Sequence, residues 1–169
     1  MTRYVLLGNS GSGKTTLAHQ LALPHLDLDT LAWYPGTPPR RRPLASSEGE
    51  ILAFIAAHDD WVIEGCYADL AALALPHGAE LVLLNPGVDA CVENAYSRPW
   101  EPHKYATREA QDANLAMLVD WIRGYVTRED ELSLRAHRAL FDGFRGPKRE
   151  LTTPAAIALF GGAAAGTGR

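Results

Sequence analysis

Apolar positions in this chain fall into two patterns, short unbroken runs and longer stretches spaced as on one side of a helix. Tyr4 to Leu7, His25 to Leu28, Trp61 to Ile63, Glu80 to Leu84 and Arg149 to Thr152 read as strands. Between them lie segments with helical spacing. Lys14 to Leu23 is closed by Pro24, and a helix capped by Ser46 or Ser47 runs to about Ala57 with Ile51, Leu52, Phe54 and Ile55 at helical spacing. Val88 to Ser97 follows the stop Asn85-Pro86-Gly87. Thr107 to Tyr125 is a long helix with Leu115, Leu118, Val119 and Ile122 on one face, and Glu129 to Phe144 is another. Thr153-Pro154 opens a short last helix, and the Gly/Ala-rich tail from Gly161 to Arg169 is expected to be disordered. Strands interleaved with helices predict an α/β fold of three layers, a parallel sheet with helices on both faces, in a single domain over residues 1–160. In such sheets ligands bind beyond the carboxyl ends of the strands, so the residues after each strand carry the chemistry.

The first strand runs directly into Gly8-Asn9-Ser10-Gly11-Ser12-Gly13-Lys14-Thr15, a complete G-x-x-x-x-G-K-[ST] sequence at a strand-to-helix junction. Glycines let the backbone wrap a polyphosphate with amides pointing inward, and the following helix adds the positive end of its dipole. Lys14 is expected to reach the β- and γ-phosphates of ATP, the Thr15 hydroxyl to ligate Mg²⁺, and Thr16 to hold the α-phosphate.

Composition narrows the partners. The chain has 169 residues, 47% of them apolar, and a net charge of -4, which argues against nucleic acid as a partner. Cys66 and Cys91 stand in no metal-ligand spacing and predict reduced, buried thiols in a cytoplasmic protein. No apolar run approaches a membrane span, and the immediate entry into the first strand predicts that there is no signal peptide. A monomer or weak dimer is expected.

After the second strand come Asp27 and Asp29. A carboxylate here orients an acceptor hydroxyl and takes its proton, Asp29 being the better placed; the alternative is a helix cap or a solvated turn. After the third strand, Glu64 is read as the second magnesium-associated group, Gly65 as a close approach to substrate, and Tyr67 as a contact to it. The Pro/Gly-rich connection from Trp33 to Pro43 carries Arg40-Arg41-Arg42. Arg41 and Arg42 either grip an anionic group of the acceptor or keep a surface loop soluble. Phosphoryl transfer needs cations over the equatorial oxygens, and seven stand late in the chain: Arg98, Lys104, Arg108, Arg123, Arg128, Arg135 and Arg138. Arg98 to Lys104 reads as part of a lid, and Arg135 with Arg138 as a pair sharing one helix face.

The order of phosphate loop, His25-Leu26-Asp27-Leu28-Asp29-Thr30-Leu31-Ala32-Trp33, Trp61-Val62-Ile63-Glu64-Gly65-Cys66-Tyr67 and late basic helices resembles adenylate-kinase-like and shikimate-kinase-like P-loop kinases. It is most similar to the small bacterial topology-modulation (FLAR-type) P-loop proteins. The resemblance spans roughly residues 3 to 160 and implies a five-stranded sheet in order 2-3-1-4-5, a helical lid, ATP, Mg²⁺ and phosphoryl transfer to a small acceptor. Glu64 stands where aspartate is usual. The lid arginine pattern of adenylate kinases is missing, and so are the paired arginines and triple glycine of shikimate kinases. A nucleotide-binding regulatory ATPase and a nucleic-acid end kinase are the other readings.

Overall fold

The computed structural model describes residues 1–102 and 104–166. Its sheet is built from β1 (Arg3–Gly8), β2 (His25–Asp27), β5 (Trp61–Gly65), β6 (Glu80–Leu84) and β7 (Lys148–Leu151). These five strands are parallel, in spatial order β2-β5-β1-β6-β7. Counted without the two-residue strands β3 (Trp33–Tyr34) and β4 (Arg40–Arg41), this is the order 2-3-1-4-5 that the resemblance implies. β3 and β4 form a separate antiparallel ribbon inside the Pro/Gly-rich connection.

The unbroken apolar runs are explained by burial on both faces. Val5, Leu7, Ile63, Leu81 and Leu83 point to one side, against α3 (Leu44–Ala57) and α4 (Ala68–Ala74). Leu140 and Phe141 of α8 (Leu134–Gly143) pack on that side too. Leu6, Val62, Val82 and Leu84 point to the other, against Leu17, Ala18 and Leu21 of α1 (Lys14–Leu21). Ile157 and Phe160 of α9 (Pro154–Gly166) complete that layer. A satellite core joins Cys91, Val92 and Ala95 of α5 (Val88–Tyr96) to Val119 and Ile122 of α7 (Leu115–Arg123), with Leu115 and Leu118 beside it.

Several boundaries differ from the sequence reading, each for a local reason. The helix expected from Thr107 to Tyr125 is two, α6 (Arg108–Ala113) and α7. They part at Asn114, whose N–H bonds back to Gln111 and whose side chain donates to the Tyr105 hydroxyl at 2.8 Å. The helix expected from Glu129 begins only at Leu134. Asp130 first folds a turn, accepting from the Leu132 N–H at 3.0 Å, and Ser133 then caps α8 by accepting from the Ala136 N–H. Ser46 and Ser47 do not cap α3, which starts at Leu44 after Pro43. Ser47 is buried inside that helix and donates to the Leu31 carbonyl at 2.8 Å, while Leu52 stays exposed. Two helices went unseen in the sequence, α2 (Asp29–Ala32) and α4. The tail was expected to be disordered from Gly161; instead α9 continues through residues 161–166, and residues 167–169 lie outside the described residues.

Leu83 is fully buried in a central strand with helices packed against its face. Leu83→Ala is expected to lower unfolding stability by about 2–5 kcal/mol, through lost transfer energy and a cavity, as read by urea denaturation.

Candidate active site

β1 ends at Gly8, and residues 9–13 turn the chain into α1. Gly11 and Gly13 take left-handed backbone angles, φ 76° and 95°, which L side chains rarely adopt. A Cβ at Gly11 would also strike the Cys91 carbonyl of α5. Among the described residues, the backbone bond made within this loop is Ser12 N–H to the Asn9 carbonyl. The first turn of α1 adds amides that have no acceptor inside the helix. Left-handed glycines followed by a helix N-terminus make a concave set of donors suited to a phosphate chain.

Asn9, Ser12 and Lys14 are buried, and Ser10 lies with its hydroxyl 3.8 Å from the Cys66 sulfur. Lys14 Nζ turns into the loop, donating to the Asn9 carbonyl at 2.8 Å and to Ser12 Oγ at 3.4 Å. Burial works against its charge, but Cys66 and the carboxylates of Glu64 and Asp29 outweigh that and hold its pKa above the ordinary lysine value. Thr15 and Thr16 open to solvent at the start of α1.

Thr15 Oγ1 donates to Glu64 Oε1 at 2.8 Å, and His25 Nε2 lies 3.4 Å from the same oxygen. Burial opposes the ionised form of Glu64. The His25 ring, the Lys14 ammonium and the Thr15 hydroxyl prevail and keep its carboxyl below the usual range. An ionised carboxylate beside a hydroxyl is an oxygen donor set that fits Mg²⁺. Among the described residues no cluster of three or more His, Cys, Asp or Glu could hold a metal, so a cation here would share its shell with phosphate oxygens and water.

The two aspartates after β2 separate by role. Asp27 Oδ1 accepts from the Asp29 N–H at 2.8 Å, so Asp27 closes the turn that leads into α2. Burial and the nearby Glu64 and Asp29 carboxylates push its pKa up. Asp29 instead faces side chains from two segments. Tyr67 donates to its Oδ1 at 2.6 Å, and Lys104 Nζ lies 3.9 Å from its Oδ2. Lys104 thereby brings the end of the stretch read as a lid beside α2, with His103 outside the described residues.

The arginine run divides. Arg41 pairs with Asp69 of α4 at 2.9 Å, and its guanidinium carbon lies 4.9 Å from the Tyr67 ring centre and 5.6 Å from that of Trp33. It therefore sits beside Asp29, as a brace on Tyr67. Arg42 turns away to Glu50 and the Ser46 carbonyl. Arg135 lies on the surface, 3.2 Å from Glu129. Arg138 grips Glu150 with two bonds of 2.7 and 3.0 Å. The structure does not bring this last pair to the phosphate loop. Gly65 approaches the core rather than a ligand, since a Cβ there would lie 2.8 Å from that of Leu28.

Sequence reasoning missed several participants. α5 and α7 hold the loop, through Asn94 Nδ2 donating to the Gly11 carbonyl at 2.8 Å and Asn9 Nδ2 donating to the Ile122 carbonyl at 3.1 Å. His137, fully buried, joins α8 to the end of β5. Its Nε2 must donate to the Cys66 carbonyl at 2.6 Å, which leaves Nδ1 to accept from the Tyr125 hydroxyl at 2.9 Å. Burial lowers its pKa to about 4 and keeps it neutral. Asp69 and His137 lie far from the loop in sequence, and no spacing motif marks them. Both cysteines are buried free thiols; burial pushes Cys66 up and Cys91 up to about 11. Among the described residues no helix is long and apolar enough to cross a membrane.

No protein-family profile matches the chain, and no curated protein does. Solved structures do. A sugar kinase from a Janibacter species matches with TM-score 0.51 at 13% identity, over 99% of this chain and 91% of that one. A shikimate kinase from Acinetobacter baumannii, solved with shikimate, matches with TM-score 0.51 at 15% identity over 94% and 88%. A Thermus thermophilus protein matches with TM-score 0.51 at 16% identity over 96% of both chains. At such identities the likeness is one of fold.

The neutral state of His137 yields a pH dependence with a definite sign. A histidine held near 4 in the folded chain against about 6.5 unfolded binds its proton preferentially in the unfolded state. Stability from this group is full above pH 6.5 and falls as pH drops toward 4, by on the order of 3 kcal/mol in total. Urea midpoints measured between pH 7 and 4.5 should fall more steeply for the native chain than for His137→Gln. Equal slopes would remove the assignment. The fold is one that this chain shares with a sugar kinase and a shikimate kinase.

Proposed function

We propose that the chain, over residues 1–160, is a Mg²⁺- and ATP-dependent phosphotransferase acting on a small acceptor, in a cytoplasmic setting that suits its reduced thiols. The observation that carries the reading is the convergence of the Lys14 ammonium, the Thr15–Glu64 contact and the Asp29 carboxylate at the carboxyl ends of β1, β5 and β2. The shared fold with solved kinases supports it.

Residues 8–16 hold the triphosphate of ATP, with Lys14 swinging from its loop carbonyl to the β- and γ-phosphates and Thr16 beside the α-phosphate. Thr15 and Glu64 hold Mg²⁺, which supplies charge neutralisation on the phosphate oxygens. Asp29 orients the acceptor hydroxyl. It takes that proton as the new O–P bond forms and the β,γ bridge breaks, with its electron pair leaving on ADP. The proton then passes from Asp29 to water.

Lys104 is the cation already beside Asp29, and Arg123 follows the Ile122 carbonyl that anchors Asn9. Both are assigned to the developing charge. Arg135 and Arg138 would have to leave Glu129 and Glu150 to join them. With Arg41 on Asp69 and Arg42 on Glu50, two of the three cations of the basic run are neutralised within the fold, which favours a small acceptor over a nucleic-acid end.

Lys14→Ala should keep the fold, by circular dichroism, and lose roughly 2.7–4 kcal/mol of transition-state stabilisation, about 100- to 1,000-fold in rate. An ADP-release screen over nucleosides, nucleotides, sugars and small acids reads this; native-like turnover in the variant rejects the reading. In the same assay Asp29→Asn should cut acceptor phosphorylation while ATP affinity, by calorimetry, stays put. A loss of ATP binding of equal size would remove Asp29 from its role.

A further inference from the structure

Tyr67 was read from the sequence as a substrate contact, yet its hydroxyl is fully committed inside the protein. The Trp33 indole Nε1–H donates to the Tyr67 oxygen at 2.8 Å, and the Tyr67 O–H is 2.6 Å from Asp29 Oδ1. An indole nitrogen can only donate. Tyr67 must therefore accept from Trp33, and its single proton goes to the carboxylate. The direction of the whole chain is set by that one donor.

We infer that Trp33 and Tyr67 form a positioning relay that ties down Asp29 Oδ1 and leaves Oδ2 to receive the acceptor's proton; this rests on the phosphotransferase reading. Three elements converge in it, since Trp33 opens β3, Tyr67 precedes α4 and Asp29 opens α2. Tyr67 is nearly fully buried, so its ring does not wander. Arg41, held by Asp69, lies 4.9 Å from the ring centre and fixes it from the ribbon side. Burial and the Asp29 carboxylate push the phenol well above its ordinary range, so the hydroxyl keeps its proton at every working pH. The other carboxylate oxygen faces only the Lys104 ammonium at 3.9 Å among the described residues, a contact that an incoming hydroxyl can replace. A free carboxylate on a four-residue helix would rotate about its own bonds; one fixed oxygen makes the other point.

Two measurements on the full chain test this. In ¹⁵N-labelled protein the Trp33 indole resonance, identified by its loss in Trp33→Phe, should move in Tyr67→Phe and also in Asp29→Ala. An unmoved resonance in either overturns the relay. In acceptor-dependent ADP release, Tyr67→Phe should lower kcat by about 10- to 100-fold with the KM for ATP unchanged. Trp33→Phe should fall less, because Tyr67 still reaches Asp29. The double variant Asp29→Asn with Tyr67→Phe should be no slower than Asp29→Asn alone. Losses that multiply would mean Tyr67 acts on its own and would overturn the proposal. A native chain with no acceptor-dependent turnover rejects the phosphotransferase reading instead, and the indole resonance then accepts or rejects the relay by itself.

Discussion

Glu64 is a carboxylate 2% exposed at the end of a central strand, and the site is arranged around keeping it ionised there. An isolated buried charge would cost several kcal/mol, so each neighbour that stabilises it is also a structural tie. The Thr15 hydroxyl joins it to the first turn of α1, and the His25 ring joins it to β2. The Lys14 ammonium adds the opposite charge from the loop. Three segments distant in sequence are thus brought to one point by one anion. That point lies beyond the carboxyl ends of parallel strands, where a doubly wound sheet leaves a crevice.

From this anchor the chemistry spreads outward along β5. Gly65 packs on Leu28, the Cys66 carbonyl is held by His137 and the Tyr67 hydroxyl reaches Asp29. Successive residues therefore serve the Thr15 and His25 contacts, the sheet, the helix layer and Asp29. His137, buried in α8, nevertheless matters to the site's geometry. It fixes the carbonyl just before Tyr67.

Much of this was legible in the sequence. Unbroken apolar runs gave the strands because a sheet covered on both faces needs them, and the phosphate loop stood out because its glycines and lysine have a fixed spacing. Glu64 was legible as a residue at the end of a strand and Asp29 as one that follows a strand. The failures share a cause, which is that side chains decided the outcome. Asn114 splits a continuous helical pattern by bonding Tyr105, and Asp130 delays α8 by folding a turn. Ser47 has a capping residue's chemistry but spends it on Leu31. The arginines were the least legible. Arg41, Arg42, Arg135 and Arg138 are each claimed by a carboxylate whose position only the fold defines.

The grip of α5 and α7 on the loop has a mechanical consequence. Asn94 holds the Gly11 carbonyl, Ile122 holds the Asn9 amide, and the absent side chain of Gly11 lets the α5 backbone ride directly against the turn. These two helices share their own small core, so they travel as one lever. A swing of that lever must either carry the turn along or sever both amide tethers. Movement of the helix pair and the curvature of the turn at residues 8–14 are accordingly geared to each other.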